Sequence, residues 1–256
     1  MNITINDKKK RDLFISIFNL LKSSANNINA SFNTDNIHIQ GMDKSHVCLF
    51  NLKLNKEWFS NYDVNVNTKL CFDTSIFCSI ISTKCEDQQL VIKQVEDDSL
   101  SIDFLNGEKK TDYSKFFTMP LIEYEYDEMN IPDTDYDVEL SLPSKKITDM
   151  LSQLSNFGDD INIKCSDDFV DFKSKGTSGE MRVNVPVEDM SSYSVVEGEI
   201  IDLTYSLIYI SKMCISNKLS PDIDFYLSNS APMKIKYDLG DNSSLLFYIA
   251  PKLEEE

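Results

Sequence analysis

Histidine is almost missing from this chain, with two residues in 256, and the sequence patterns that usually carry catalysis are missing with it. No GxSxG, GxGxxG, HExxH or phosphate-loop pattern occurs, so nucleophilic, dinucleotide, zinc-protease and P-loop chemistries have no local signature. Glycine and proline, seven of each, are too few to mark a disordered chain. Cations are the minority. The 25 Lys and Arg stand against 42 Asp and Glu, and the net charge of −17 argues against a protein that grips nucleic acid tightly through its phosphates. Apolar runs fall far short of a bilayer span, and Asp7-Lys8-Lys9-Lys10-Arg11 opens an amphipathic helix rather than a secretory leader. The expectation is a soluble intracellular chain with no membrane contact, whose Asn-x-Ser/Thr triplets at Asn2, Asn29 and Asn242 carry no sugar.

Metal chemistry also lacks its parts. Cys48, Cys71, Cys78, Cys85, Cys165 and Cys214 form no CxxC pair, and only His38 and His46 exist to complete a site, so the cysteines read as buried free thiols. Asp133-Thr134-Asp135-Tyr136-Asp137 begins like a calcium loop, but Val138 stands where that loop needs glycine and Ser144 where it needs a bidentate glutamate. The acid pairs Asp97-Asp98 and Asp159-Asp160 suit turns; a metal-dependent hydrolase would need a second carboxylate cluster beside them. No cofactor, metal or catalytic residue is expected, and the chain is not read as an enzyme.

What the chain does have is a repeat. A short strand, an amphipathic helix and a run of alternating strands recur four times, with helices beginning near Asp7, Thr74, Ser144 and Thr204. The predicted helices run to Lys22, then over 75–82, 145–155 and 205–215, each preceded by Asp, Ser or Thr as a cap. Ile147, Met150, Leu151 and Leu154 at i, i+3, i+4, i+7 give the third an apolar face opposite Lys145, Asp149, Ser152 and Asn156. Segments such as Ile161-Asn162-Ile163-Lys164-Cys165 and Met233-Lys234-Ile235-Lys236-Tyr237 alternate with period two. This order predicts an α+β fold with antiparallel sheets and helices gathered on one side. The stretch from Met119-Pro120 to Ile131-Pro132, dense in acid and without a period, reads as an extended connector between two similar halves: 1–118, a connector at 119–135, and 136–256.

The basic residues Lys8, Lys9, Lys10, Arg11, Lys22, Lys84, Lys145, Lys146, Lys212 and Lys218 fall in or beside the four helices, while acid crowds the loops, the connector and Glu254-Glu255-Glu256. Arg11 and Lys22, eleven residues apart, share an angular position that is expected to lie away from Leu13, Ile17 and Leu20. One helical layer is thus less acidic than the rest, although lysines that merely solvate exposed helices give the same pattern.

The run Ile37-His38-Ile39-Gln40-Gly41-Met42-Asp43-Lys44-Ser45-His46-Val47-Cys48-Leu49 and the end Leu246-Phe247-Tyr248-Ile249-Ala250-Pro251-Lys252-Leu253-Glu254 resemble the proliferating cell nuclear antigen family of DNA sliding clamps. Leu154-Ser155-x-x-Gly158-Asp159 and Ile131-Pro132-x-x-x-Tyr136 fall in the family's order and spacing, so the resemblance covers essentially the whole chain. It implies two like clamp domains, each with two strand-helix-strands repeats, in a homotrimeric ring whose helices line a channel around duplex DNA and whose antiparallel sheets lie outside. Threading replaces tight phosphate binding, so the acidic balance ceases to be a contradiction. The basic residues named above become the DNA-channel set. The third helix departs from the basic face of animal clamps at Asp149, Ser152 and Asn156, as does the fourth at Ile208; Asp167 stands where the family's ubiquitin-accepting lysine falls, with Lys164 and Lys173 nearby.

The resemblance also implies a processivity factor that tethers DNA polymerase, clamp loader, ligase and nuclease through a groove for short QxxΦxxaromatic-aromatic (PIP-box) peptides. The matching positions are Met42, His46, Val47, Leu49, Met129, Ile131, Pro132, Pro232, Tyr248, Ala250 and Pro251; taken singly, Met42, Leu49 and Tyr248 would be ordinary core residues and His46 a packed histidine. Thr111, Tyr113, Lys115 and Phe117 resemble the strand that meets a neighbouring subunit near Thr177, Glu180 and Arg182. Two unpaired edges are an aggregation hazard unless an oligomer closes them. The implied location is the nucleus, or a viral replication site if the chain is viral. The alternative is a specialised subunit of a heterotrimeric or checkpoint-type ring.

Overall fold

The computed structural model describes residues 1–43, 45–83, 88–106, 113–123, 129–132, 134–196, 198, 200 and 201–252, with Val95 described by its backbone only. Chain contacts divide it into two units. The first comprises Met1–Lys44, Asn51–Met129 and Leu239–Leu245; the second comprises Ser45–Phe50, Asn130–Asp238 and Leu246–Glu256.

In chain order the first half runs β1 (Asn2–Ile5), α1 (Lys8–Leu21), β2 (Asn27–Phe32), β3 (Asn36–Met42), β4 (Cys48–Asn55), β5 (Asn61–Asp63), β6 (Thr68–Asp73), α2 (Thr74–Ile81), β7 (Gln88–Glu96), β8 (Ser99–Asn106) and β9 (Lys115–Pro120). The second half runs β10 (Val138–Pro143), α3 (Ser144–Leu154), β11 (Asp160–Cys165), β12 (Phe169–Gly176), β13 (Gly179–Pro186), β14 (Ser192–Val195), β15 (Ile201–Ser206), α4 (Leu207–Met213), β16 (Asp222–Ser228), β17 (Ala231–Gly240) and β18 (Ser243–Ile249). Strand, helix and strands thus recur four times, opened by β1, β6, β10 and β15, and the α+β architecture follows from that order.

Strands of the first unit pair in the order β5-β1-β7-β8-β9 and, separately, β4-β3-β2-β6. Those of the second pair in the order β13-β12-β11-β15 and β14-β10-β16-β17-β18. Among the described residues these strand pairings are antiparallel, and each opening strand, followed by a helix, pairs with strands other than the one that helix leads to.

Each core sits between helices and sheet. In the first unit, Phe14 and Phe18 of α1 meet Phe77 of α2, with Phe18 and Phe77 ring centres 4.7 Å apart and Phe72 of β6 stacked 4.8 Å from Phe77. Trp58 is fully buried, and its indole N–H finds the Leu239 carbonyl at 3.0 Å, so its one polar atom is satisfied. In the second unit Ile147, Leu151 and Leu154 of α3 and Leu207, Ile210 and Met213 of α4 are buried, and Thr148 Oγ1 donates to the Cys214 carbonyl at 2.9 Å to tie the two helices.

Two expectations at helix starts are corrected. Tyr205 and Ser206 continue β15 rather than opening α4, because Tyr205 is wholly buried and pairs with Ile161 in register; the helix covers only Leu207–Met213. Seven residues make no stable helix alone, so packing rather than propensity holds it. Asp7 and Asp73 cap as expected, accepting from Lys10 N at 2.9 Å and Ile76 N at 2.8 Å. Ser144, however, is the first helical residue of α3, and its hydroxyl donates to the Ser220 carbonyl at 2.6 Å instead of capping.

Candidate functional site

The helices collect the chain's scarce positive charge. They hold six lysines and one arginine against two aspartates and no glutamate, in a chain whose overall balance is strongly acidic. Lys8, Lys9, Lys22, Lys145, Lys146, Lys212 and Lys218 are exposed. Lys84 lies outside the described residues, and the exposed face of α2 carries Ser75, Ile76 and Ser79 with no cation.

Two members of the DNA-channel set are turned to other work. Arg11 is 2% exposed and donates from a guanidinium nitrogen to the Gln88 carbonyl, so it cannot meet a phosphate. Its shared angle with Lys22 is real, but that angle belongs to the buried stripe: Phe14, Ile15 and Phe18 stand at i+3, i+4 and i+7 from Arg11. Lys22 is spared because it caps the C-terminus beyond the last packed turn. The outward face of α1 is instead Lys9, Asp12, Ser16, Asn19 and Ser23. Lys10 is half-buried, donating to the Trp58 carbonyl at 2.9 Å and to Asp241 at 2.5 Å, with its ammonium 5.5 Å from the Trp58 ring centre.

On α3, Lys145, Lys146, Asp149, Ser152 and Asn156 share the exposed face. On α4 and just after it, Ile208 and Ile215 are 49% and 67% exposed beside Lys212. A cleft of about 400 Å³ runs between the two helices, lined by Leu151, Ser155, Ile208, Ser211 and Ile215 among others. This face is mildly basic and partly apolar, suited to passing contact with a polyanion and not to holding one.

The positions matched to a peptide groove sit on outward sheet faces and loops. Cys48 and Phe50 of β4 and Phe247 and Ile249 of β18 are buried, so the alternation turns half-buried Leu49 and Tyr248 to the opposite face, out of the core. In the second unit Val47, Ile131 and Pro251 are half-buried, while His46, Pro132, Pro232 and Ala250 are exposed; His46 has a left-handed φ of 56°. The tail after β18 is tied down by Lys252, whose backbone N–H donates to the Thr204 carbonyl at 2.8 Å and whose ammonium meets Asp160 at 2.5 Å. Met42, at the end of β3, and Met129 belong to the first unit, and both are half-buried.

The sequence did not single out Gln40, Tyr226 or Lys234, or assign a role to Tyr136. Gln40 is 6% exposed; its amide donates to the Met129 carbonyl at 2.9 Å and accepts from Met129 N at 2.7 Å, copying a strand pairing onto the connector. Period two does turn Lys234 outward between Met233 and Ile235, but no local signal pairs it with Tyr136 and Tyr226, which flank its ammonium.

The strands matched to a subunit contact are both sheet edges. β9 pairs only with β8 among the described residues, and Phe116 and Tyr113 beside it are 70% and 87% exposed; Thr111 lies outside the described residues. Lys115 donates to the Thr83 carbonyl at 3.0 Å, and Phe117 packs edge-on to Phe104 at 6.2 Å. Among the described residues β13 pairs only with β12, and a cleft of about 220 Å³ lined by Ile147, Met150, Val183, Val185, Lys146 and Asp189 among others runs along it. Thr177 and Glu180 are exposed at this hairpin, Glu180 pairing with Lys173 at 3.0 Å; Arg182 reaches Asp171 on β12 at 2.6 Å, where Asn184 also donates at 2.8 Å. Among the described residues no three His, Cys, Asp or Glu side chains gather as a metal site, and no helix is long and apolar enough to cross a membrane.

Comparison with known families places residues 8–129 on the N-terminal domain of proliferating cell nuclear antigen and residues 130–252 on its C-terminal domain. A proliferating cell nuclear antigen from Chaetomium thermophilum is 28% identical over 247 residues, spanning 94% of each chain. With its fourfold strand-helix-strands order and mildly basic helix faces, the chain belongs to the proliferating cell nuclear antigen family of DNA sliding clamps.

Proposed function

We propose that this chain is a self-sufficient, non-catalytic processivity clamp: three copies close a ring around duplex DNA, and replication and repair proteins dock on it through short apolar peptides. The observation that carries the reading is the pair of unlike edges. Among the described residues β9 and β13 each end a sheet; Phe116 and Tyr113 are exposed at the first, and a cleft lined by Ile147, Met150, Val183 and Val185, with Lys146, Asn184 and Asp189 beside them, runs along the second. Unlike edges make a head-to-tail contact, which closes as a ring when the rotation allows. Joining β9 of one copy to β13 of the next satisfies both edges and hides the aromatic side chains, removing the aggregation hazard that each edge presents alone.

The domains proposed from the sequence, 1–118 and 136–256 with a connector at 119–135, supply the two halves of each subunit. Lys8, Lys9, Lys22, Lys145, Lys146, Lys212 and Lys218 face the duplex; their small number favours sliding. Polymerase, clamp loader, ligase and nuclease engage the surface carrying Leu49, Pro232 and Tyr248. Action on DNA places the protein in the nucleus, or in a viral replication compartment if the source is a virus.

Light scattering over a dilution series at moderate salt tests the assembly. A stable mass three times the 29.3 kDa chain is expected. A monomer or dimer throughout would replace the homotrimer with a subunit of a heteromeric or checkpoint-type ring.

A further inference from the structure

Gln40 is a polar residue buried on the outward face of its strand. Ile37 and Ile39 of β3 belong to the core, so the alternation turns His38 and Gln40 the other way, yet Gln40 is only 6% exposed. The connector lies against it. The side-chain amide donates to the Met129 carbonyl at 2.9 Å and accepts from the Met129 N–H at 2.7 Å. Because Met129 offers one donor and one acceptor, both ends of the amide are used and its orientation is fixed. The start of the connector is held by main chain instead: Leu121 and Ile122 donate their backbone N–H groups to the Asp98 and Cys71 carbonyls, each at 2.8 Å. All these residues belong to the first unit. One end of the connector is thus pinned by backbone, and the end that continues into Ile131 and Pro132 by a side chain.

We infer that Gln40 is a positioning residue for partner docking: by holding both backbone groups of Met129 it fixes the connector at that point and presents the connector's other edge to the main chain of an incoming peptide. The inference rests on the peptide-docking reading. In an extended chain the backbone groups of successive residues point to opposite sides, so turning those of Met129 toward Gln40 leaves those of Asn130, an exposed residue, for the far side. A peptide that adds itself there as a strand draws its affinity from main-chain hydrogen bonds, which form at least cost when the receiving edge is already ordered. Ordering one loose backbone residue on binding weakens affinity by roughly tenfold. An apolar residue in place of Gln40 would also leave the Met129 N–H and carbonyl without these partners. Gln40 therefore sets affinity through Met129 and not by touching the peptide.

The test is fluorescence anisotropy with the full chain and a labelled QxxΦxxaromatic-aromatic peptide with extended flanks, beside a copy whose flanking amides are N-methylated and cannot donate to the connector. Wild type should bind the plain peptide about tenfold more tightly than the methylated one. Gln40→Leu should weaken the plain peptide to the level of the methylated one, leave the mass in solution unchanged, and speed hydrogen exchange at the Met129 amide of the free protein. Gln40→Glu keeps the acceptor for the Met129 N–H and loses the donor to its carbonyl; it should fall between the two, and it carries the test if Gln40→Leu folds poorly. A plain peptide that fails to bind wild type removes the docking reading and the inference with it. A plain-peptide affinity that Gln40→Leu changes less than about twofold, or Met129 exchange that it leaves unchanged, overturns the inference alone. So does equal weakening of plain and methylated peptides, which would mark Gln40 as structural support.

Discussion

Arg11 shows how the position of a residue overrides its type. Read by charge it joins the lysines around it; read by periodicity it heads the stripe Phe14, Ile15, Phe18, and the structure follows the stripe, burying Arg11 against the Gln88 carbonyl. That stripe was legible in the sequence, whereas the acceptor was not, because Gln88 lies 77 residues away. Arg11→Ala should cost about 3 kcal/mol in urea unfolding, since it leaves a cavity and an orphaned carbonyl, while Lys9→Ala on the exposed face should change stability by less than about 0.5 kcal/mol. Equal effects would contradict the assignment of the two faces. The thiols follow the same logic. Burial pushes Cys78 up to about 11 and Cys165 up to about 12, and Cys48, Cys71 and Cys214 are buried with them. At pH 8 these five should resist iodoacetamide in the native chain and react fully in denaturant, read by peptide mass spectrometry; rapid native labelling of Cys165 would refute its burial. At the docking surface Leu49→Ala with Tyr248→Ala should abolish stimulation of a cognate polymerase without changing the oligomeric mass, and full stimulation would refute that assignment.

At the scale of elements, the sequence predicted three helices to within a residue and misplaced the fourth. Tyr205 and Leu207 are both apolar, so period alone does not say where β15 stops; pairing with β11, distant in sequence, decides it. The β12–β13 hairpin carries the next two expectations. Gly158 and Gly176 stand where the loop after α3 touches this hairpin: a Cβ on Gly158 would lie 2.5 Å from the Lys175 carbonyl oxygen, and one on Gly176 would collide with the Phe157 carbonyl oxygen. Gly176→Ala should therefore destabilise by roughly 1–3 kcal/mol, seen as a lower urea midpoint, and weaken any assembly through β13; an unchanged midpoint would disprove the close approach. Within the hairpin, burial raises the Asp171 carboxyl, but hydrogen bonds from Arg182 and Asn184 outweigh it and hold the group below its ordinary value. A depressed folded pKa contributes stability above the unfolded value and loses it as pH falls through the folded one. The stability gap between wild type and Asp171→Asn should accordingly be constant from pH 7 to about 5 and close below about pH 4; a gap that widens in acid would reverse the sign of this account.

For the whole molecule, the balance of charge matters less than its placement. The net −17 argued against nucleic acid on composition, yet the four helices alone carry a net positive sum while loops and edges carry the acid. Composition cannot show this, because segregation is a property of the fold. The fourfold repeat was legible because each copy repeats a local pattern; the two edge strands came through resemblance, as did the proposed docking surface, and the Tyr136–Lys234–Tyr226 arrangement was not legible, since it joins residues 98 and 8 positions apart. Encirclement rather than adhesion predicts weak, salt-sensitive contact with short linear DNA, and strong retention only where ends are absent. The most direct measurement is retention on DNA after loading by a cognate clamp loader with ATP. On closed circular duplex the protein should stay bound through gel filtration at moderate salt and be released when one restriction cut opens the circle. Retention that survives linearisation, or no retention on the circle, would contradict a clamp that holds DNA by topology.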